Sequence, residues 1–226
     1  MGAFWRGIPP ELLAWGAKQL GENTVAVETG TYLGDGTLLL SEHFSSVVTI
    51  ERDAVLAKNA TSRFADRPSI TVLHGSSRDV LIPNIPRDEK GAFFWLDAHF
   101  SGGVTAGADD PCPLEFELSA ICSVRRAENT IILIDDIRGA IGANGWPSLT
   151  ELCVIASRHG FKGAIVDDVL ALAHPDNFDD IPSIAGRSRT FELAGKSYFW
   201  GLINTSLSVA NVVVPPLAAV KRRLHL

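Results

Sequence analysis

Apolar residues fall along this chain in short unbroken runs, and each run ends in polar or glycine-rich positions. TVAVETG, SVVTIERD, SITVLHGSS, AFFWLDAHF and NTIILIDDIRG are the clearest. Such runs, bounded by turn signals, predict strands buried on both faces. Helical spacing fills the gaps between them. Pro9-Pro10 leads into ELLAWGAKQL, which stops at Gly21. YLGDGTLLLSEHF passes from loop to helix, and AVLAKNATSRF is broken at Arg67-Pro68. SRDVLIPNIPRDEKG holds a short helix and a proline-rich loop, and LEFELSAICSVR is helical throughout. SLTELCVIASRHGF begins at Ser148 with Glu151 three residues on, a capping box. AIVDDVLALAHP predicts a sixth strand or a strand-turn-strand, and TFELAGKSYFWGLIN one or two more.

Strands alternating with helices at least five times predict an α/β fold. The expected sheet is doubly wound and mostly parallel, with helices on both faces and an antiparallel last strand. A single domain is expected over 1–226, with a helical segment at 1–24, a core at 25–205 and a tail at 206–226. In an open sheet of this kind, ligands bind beyond the carboxyl ends of the strands. The polar residues that follow the strand runs are Glu28, Glu51, Ser76, Asp97, His99, Asp135 and Asp136.

VETGTYLGDGT is the first strand-to-helix turn. Its glycines Gly30, Gly34 and Gly36 allow a backbone to approach a ligand closely. Tyr32 stands where a dinucleotide fingerprint has its second glycine, which disfavours nicotinamide and flavin dinucleotides. Glu51 ends the second strand, where an acid can accept from both hydroxyls of a ribose, and Arg52 follows it. His74, Gly75, Ser76 and Ser77 close the third strand and could edge an adenine. Asp97 after FFWL and Asp135-Asp136 after IILI bring three carboxylates to one rim. Like charges resist ionising together unless a cation is present, and hard divalent ions favour such oxygens. His99, two residues beyond Asp97, is placed either as a general base or as a surface histidine. Trp146, Tyr198 and Trp200 are either pocket aromatics or core. SGGVTAGADDPCP is a loop long enough to be functional, and it carries Asp109 and Asp110.

Composition narrows the partners. The formal charge is −6, and the one basic group is Lys221-Arg222-Arg223, so nucleic acid is not an expected partner. Cys112, Cys122 and Cys153 are odd in number and widely spaced, which suits reduced thiols and a cytoplasmic setting. MGAFWRGIPPELLAWG lacks a signal-peptide layout, and no apolar run reaches membrane-spanning length, so no membrane is expected. VANVVVPPL reads either as a homodimer surface or as core.

The ordered set VETGTYLGDG, TIERD, VLHGSS, FFWLDAH and ILIDD resembles the class I adenosylmethionine-dependent methyltransferases, which have a Rossmann-like fold. Within them it looks most like the metal-dependent O-methyltransferases of the catechol and macrocin type. The resemblance spans residues 25–205. It implies S-adenosylmethionine as cofactor, Mg²⁺ or another hard divalent cation, and methylation of a small hydroxylated acceptor. Asp97, Asp135 and Asp136 would bind the metal. Glu28 and Gly30 would line the methionine moiety, and Glu51 would hold the ribose. Tyr32, Gly34, Arg52, Gly75, Ser76, Ser77 and Asp97 complete the expected cofactor set. His99 and Asp97 would be catalytic, with His99 as base. The loop at 101–113 is longer than in the catechol type. Two alternatives keep the fold: a metal-dependent hydrolase or hydroxylase, and a non-catalytic nucleoside-binding module.

Overall fold

A computed structural model describes residues 7–87, 90–98, 112–143, 145–178, 191–193 and 196–198. The helix α1 (Pro10–Leu20) begins on its proline and ends at Gly21, as the pattern predicts. The strand β1 (Thr24–Thr29) leads into α2 (Asp35–Ser41), and β2 (Ser46–Glu51) into α3 (Ala54–Arg63). Then come β3 (Ile70–His74), α4 (Ser77–Asn84), β4 (Gly91–Leu96), α5 (Leu114–Val124), β5 (Thr130–Ile134) and α6 (Leu149–Arg158). The capping box on α6 is formed: Ser148 and Glu151 satisfy each other's backbone amides.

Five of these strands take part in one sheet of order β3-β2-β1-β4-β5-β7-β6, completed by β6 (Lys162–Val166) and β7 (Val169–Ala173). AIVDDVLALAHP is thus a strand-turn-strand. Asp167 takes a left-handed φ of 54° in that turn. β7 lies between β5 and β6 and runs antiparallel to both, and the other neighbours pair in parallel. The TFELAGKSY segment forms β8 (Phe191–Leu193) and β9 (Lys196–Tyr198), an antiparallel pair in a sheet of their own.

β4 shows why the oily run was needed. Phe93 and Trp95 pack toward Leu12, Leu13, Leu40 and Phe44 on one face. Phe94 and Leu96 pack toward Leu118, Ile121 and Leu152 on the other. The period of two splits one continuous run between two helical layers. Each such side chain withdrawn from water contributes about 1.5–3 kcal/mol before entropy.

The register levels the strand ends. Thr29 pairs with both Ile50 and Leu96, and Leu96 pairs with Ile134. β1, β2, β4 and β5 therefore finish together, and the residues just after them share one rim. Among the described residues, no helix is long and apolar enough to cross a membrane. The expectation for VANVVVPPL lies outside the described residues, as does the tail 206–226.

Candidate functional site

The rim is built around the turn that follows β1. Gly30 donates from N to Ile50 O at 2.9 Å and takes a φ of 91°. A Cβ there would stand 2.4 Å from Asp97 O, so only glycine lets the ends of β1 and β4 approach this closely. Tyr32 N donates to Glu51 Oε2 at 2.8 Å, and Asp53 N donates to Glu51 Oε1 at 2.8 Å. Each oxygen of this buried carboxylate has a second acceptor position beyond the amide it takes. The Tyr32 ring is exposed. Gly34 is left-handed at φ 86° and opens α2.

Glu28 sits deeper. It is 2 % exposed, and its Oε2 accepts from Thr37 Oγ1 at 2.5 Å and Thr49 Oγ1 at 2.7 Å. Thr49 Oγ1 in turn lies 2.6 Å from Thr31 Oγ1. The carboxylate expected along the methionine moiety thus faces a hydroxyl network that ties β1, β2 and α2 together. Burial pushes its pKa up to about 7; the two threonine hydroxyls pull it down, and the charge of Glu51 adds to the rise.

That shift fixes a pH dependence. Unfolded Glu28 releases its proton near 4.5, and folded Glu28 near 7. Between those values the native state holds the extra proton, so stability falls as pH rises through this window and levels off above it. The cost at pH 8 is about 3 kcal/mol, at about 1.4 kcal/mol per pKa unit. Both threonines reach the same oxygen, so a glutamine can still accept from them. Glu28→Gln is expected to be more stable than the native chain at pH 8 and to lose the decline between pH 5 and 7. Urea midpoints across that range check this, and an unchanged slope would contradict it.

Across β4 and β5 the acids gather. Asp97 N donates to Thr29 O at 3.0 Å, and Asp135 N to Leu96 O at 3.1 Å, which places the two side by side. The Asp97 carboxyl is held well above the usual carboxylate range, first by burial, then by the charges of Asp135, Asp136, Glu28 and Glu117. Glu117 is 1 % exposed on α5, and its Oε2 accepts from Thr29 Oγ1 at 3.3 Å. This acid was not among the sequence candidates. Its signal was an acid within the apolar stripe Leu114, Leu118 and Ile121, all of them buried.

Asp136 differs from its expectation as a metal ligand. It takes a left-handed φ of 51°, and its carboxylate pairs with Arg138. Arg138 also pairs with Asp168 at the β6–β7 turn, and its backbone N donates to Asp168 Oδ1 at 3.0 Å. Among the described residues, no three acid, histidine or cysteine side chains converge in a geometry ready to hold a metal ion. Asp97 and Asp135 fit a cation by adjacency and mutual repulsion; Asp136, turned to Arg138, does not.

Below the acids an open cleft encloses about 210 Å³, mouth included. Its described lining includes Leu96, Ala98, Leu114, Glu117, Asp135 and Trp146. Trp146 thus joins the rim. At the far side, Gly75 N donates to Glu51 O at 2.9 Å, Ser76 caps α4, and Ser77 is buried in its first turn. Arg52 follows Glu51 in the turn into α3 and is partly exposed. His99, Asp109, Asp110 and Trp200 lie outside the described residues, as does the side chain of Tyr198.

No protein-family model matches the sequence, and no curated protein matches it. Solved structures share its fold. The O-methyltransferase TomG from Streptomyces achromogenes, involved in tomaymycin synthesis and solved in complex with SAM, is 18 % identical with a TM-score of 0.50. The match covers 73 % of this chain and 78 % of that one. A proposed caffeoyl-CoA O-methyltransferase from Staphylococcus aureus is 13 % identical with a TM-score of 0.50, over 74 % of this chain and 83 % of that one. At such identities the likeness establishes the fold: this chain has the Rossmann-like architecture of methyltransferases of known structure.

Proposed function

We propose that this protein is an S-adenosylmethionine-dependent methyltransferase that acts on a hydroxyl of a small acceptor, assisted by a divalent cation. The observation that carries this is Glu51. Its carboxylate ends β2 beside the glycine turn and grips the turn through Tyr32 N, with acceptor positions left for the paired hydroxyls of a ribose. The nucleoside thus lies across the ends of β1 and β2, which leaves the methyl group to face Asp97 and Asp135. When bound, S-adenosylmethionine supplies a methyl on a positively charged sulfur. In the transfer an oxygen–methyl bond forms, the sulfur–methyl bond breaks, and the hydroxyl proton passes to a base. His99, two residues beyond Asp97, is our candidate for that base.

Asp97 and Asp135 would hold the cation, whose charge favours the ionised form of a nearby hydroxyl. Burial and neighbouring acids oppose ionisation of Asp97, and a cation reverses that opposition. The cleft below, with Trp146 and Leu114 on its walls, suits an acceptor with an apolar face. One observation favours a metal-free variant of the same reaction, namely the hold of Arg138 on Asp136.

The test is formation of S-adenosylhomocysteine from the methyl donor over a panel of small phenols and alcohols, with magnesium and with excess chelator. Product only with magnesium is the expected result. Equal product in chelator removes the metal from the account. Methylation confined to amine acceptors would overturn the hydroxyl assignment.

A further inference from the structure

Arg63 closes α3, yet its guanidinium acts on the turn after β1. Nη1 donates to Leu33 O and lies 2.8 Å from Asp35 Oδ1. The neighbouring Phe64 ring backs the same turn: a Cβ on Gly34 would stand 2.8 Å from its Cζ. The Arg63 guanidinium itself sits 5.5 Å from the centre of that ring. Gly34 therefore has two reasons to be glycine, its left-handed φ and the ring against it.

We propose that Arg63 is a positioning residue for cofactor binding: it locks Leu33 and Asp35 on one flank of the glycine turn while Glu51 holds Tyr32 on the other. The proposal rests on the cofactor reading of this turn. The pair is poorly placed to hold up the whole fold, because the side chains of Arg63 and Asp35 are 37 % and 81 % exposed, and exposed ion pairs contribute little. Its effect falls on the order of the turn. A turn already fixed spares the ordering cost that binding otherwise meets. Lysine cannot reproduce the fork that meets a carbonyl and a carboxylate together.

The experiment compares native protein, Arg63→Ala and Arg63→Lys by three readouts. Calorimetric titration with S-adenosylhomocysteine is expected to show about tenfold weaker binding for the alanine variant and about threefold for lysine. The melting temperature is expected to fall by no more than about 2 °C. Hydrogen exchange without ligand is expected to be faster at the Gly34 and Leu38 amides, which bond to Thr31 O and Gly34 O. Unchanged affinity, or unchanged exchange at those amides, overturns the proposal. So does a collapse in melting temperature that tracks the loss of binding. If the native protein binds no S-adenosylhomocysteine, the cofactor role falls with the cofactor reading. Exchange at Gly34 and Leu38 then still shows whether the clamp itself exists.

Discussion

Asp135→Ala is expected to lose methyl transfer by about 10²–10³-fold, the range seen when one fixed electrostatic partner of a transition state is removed. Its binding of S-adenosylhomocysteine should stay within about threefold of native, as should be true of a site on β5 remote from the nucleoside. Stability separates this from simple damage. Asp135 raises the Asp97 carboxyl by direct repulsion, so its removal relieves strain between charges. The cost is one local contact, since Asp135 Oδ1 accepts from Asp136 N at 2.8 Å. The melting temperature should therefore hold or change only slightly while turnover collapses. Turnover within tenfold of native would remove Asp135 from the reaction. A large loss of stability would make its role structural.

Arg125→Ala is expected to cost about 3–5 kcal/mol, the largest single effect on stability foreseen here. The side chain is 3 % exposed at the end of the sheet away from the rim. Nε donates to Thr130 Oγ1 at 3.1 Å, and Nη1 to the carbonyls of Pro86 at 3.1 Å and Arg87 at 2.6 Å. Nη2 donates to Lys90 O at 2.8 Å and to Asn129 O at 3.1 Å. One guanidinium thus ties the approach to β4 to the approach to β5. Its loss leaves several carbonyls without their charged donor. Arg125→Lys should recover little, since a single ammonium cannot span them. Urea denaturation measures the cost, and a loss below about 1 kcal/mol would contradict the account.

These cases show where the sequence was readable. FFWL and IILI are unbroken because their strands lie between two helical layers, so the strands, their order of appearance and the acids at their ends could all be read. The turn at Asp167-Asp168 was legible as punctuation within AIVDDVLALAHP. The place of β7, inserted antiparallel between β5 and β6, was not, because it depends on which strand the hairpin meets in space. Glu117 and Arg125 were hidden for one reason. Each is a charged residue in a helical segment whose partners come from distant strands and loops. Asp136 was read from its neighbour Asp135. Its left-handed φ turns it to Arg138, and nothing in the letters DD announces that turn. Glu28 looked like a ligand contact. The hydroxyls of Thr37 and Thr49 that claim it come from the next helix and the next strand.

The central claim is that the glycine turn and Glu51 form a nucleoside site. Calorimetric titration of the native chain and Glu51→Ala with S-adenosylhomocysteine tests it most directly. The account predicts one site per chain in the native protein and a loss of at least about thirtyfold in affinity for the variant, about 2 kcal/mol for a charged hydrogen-bond acceptor. Absence of heat with the native protein at millimolar ligand, or equal affinity in the two proteins, would contradict it.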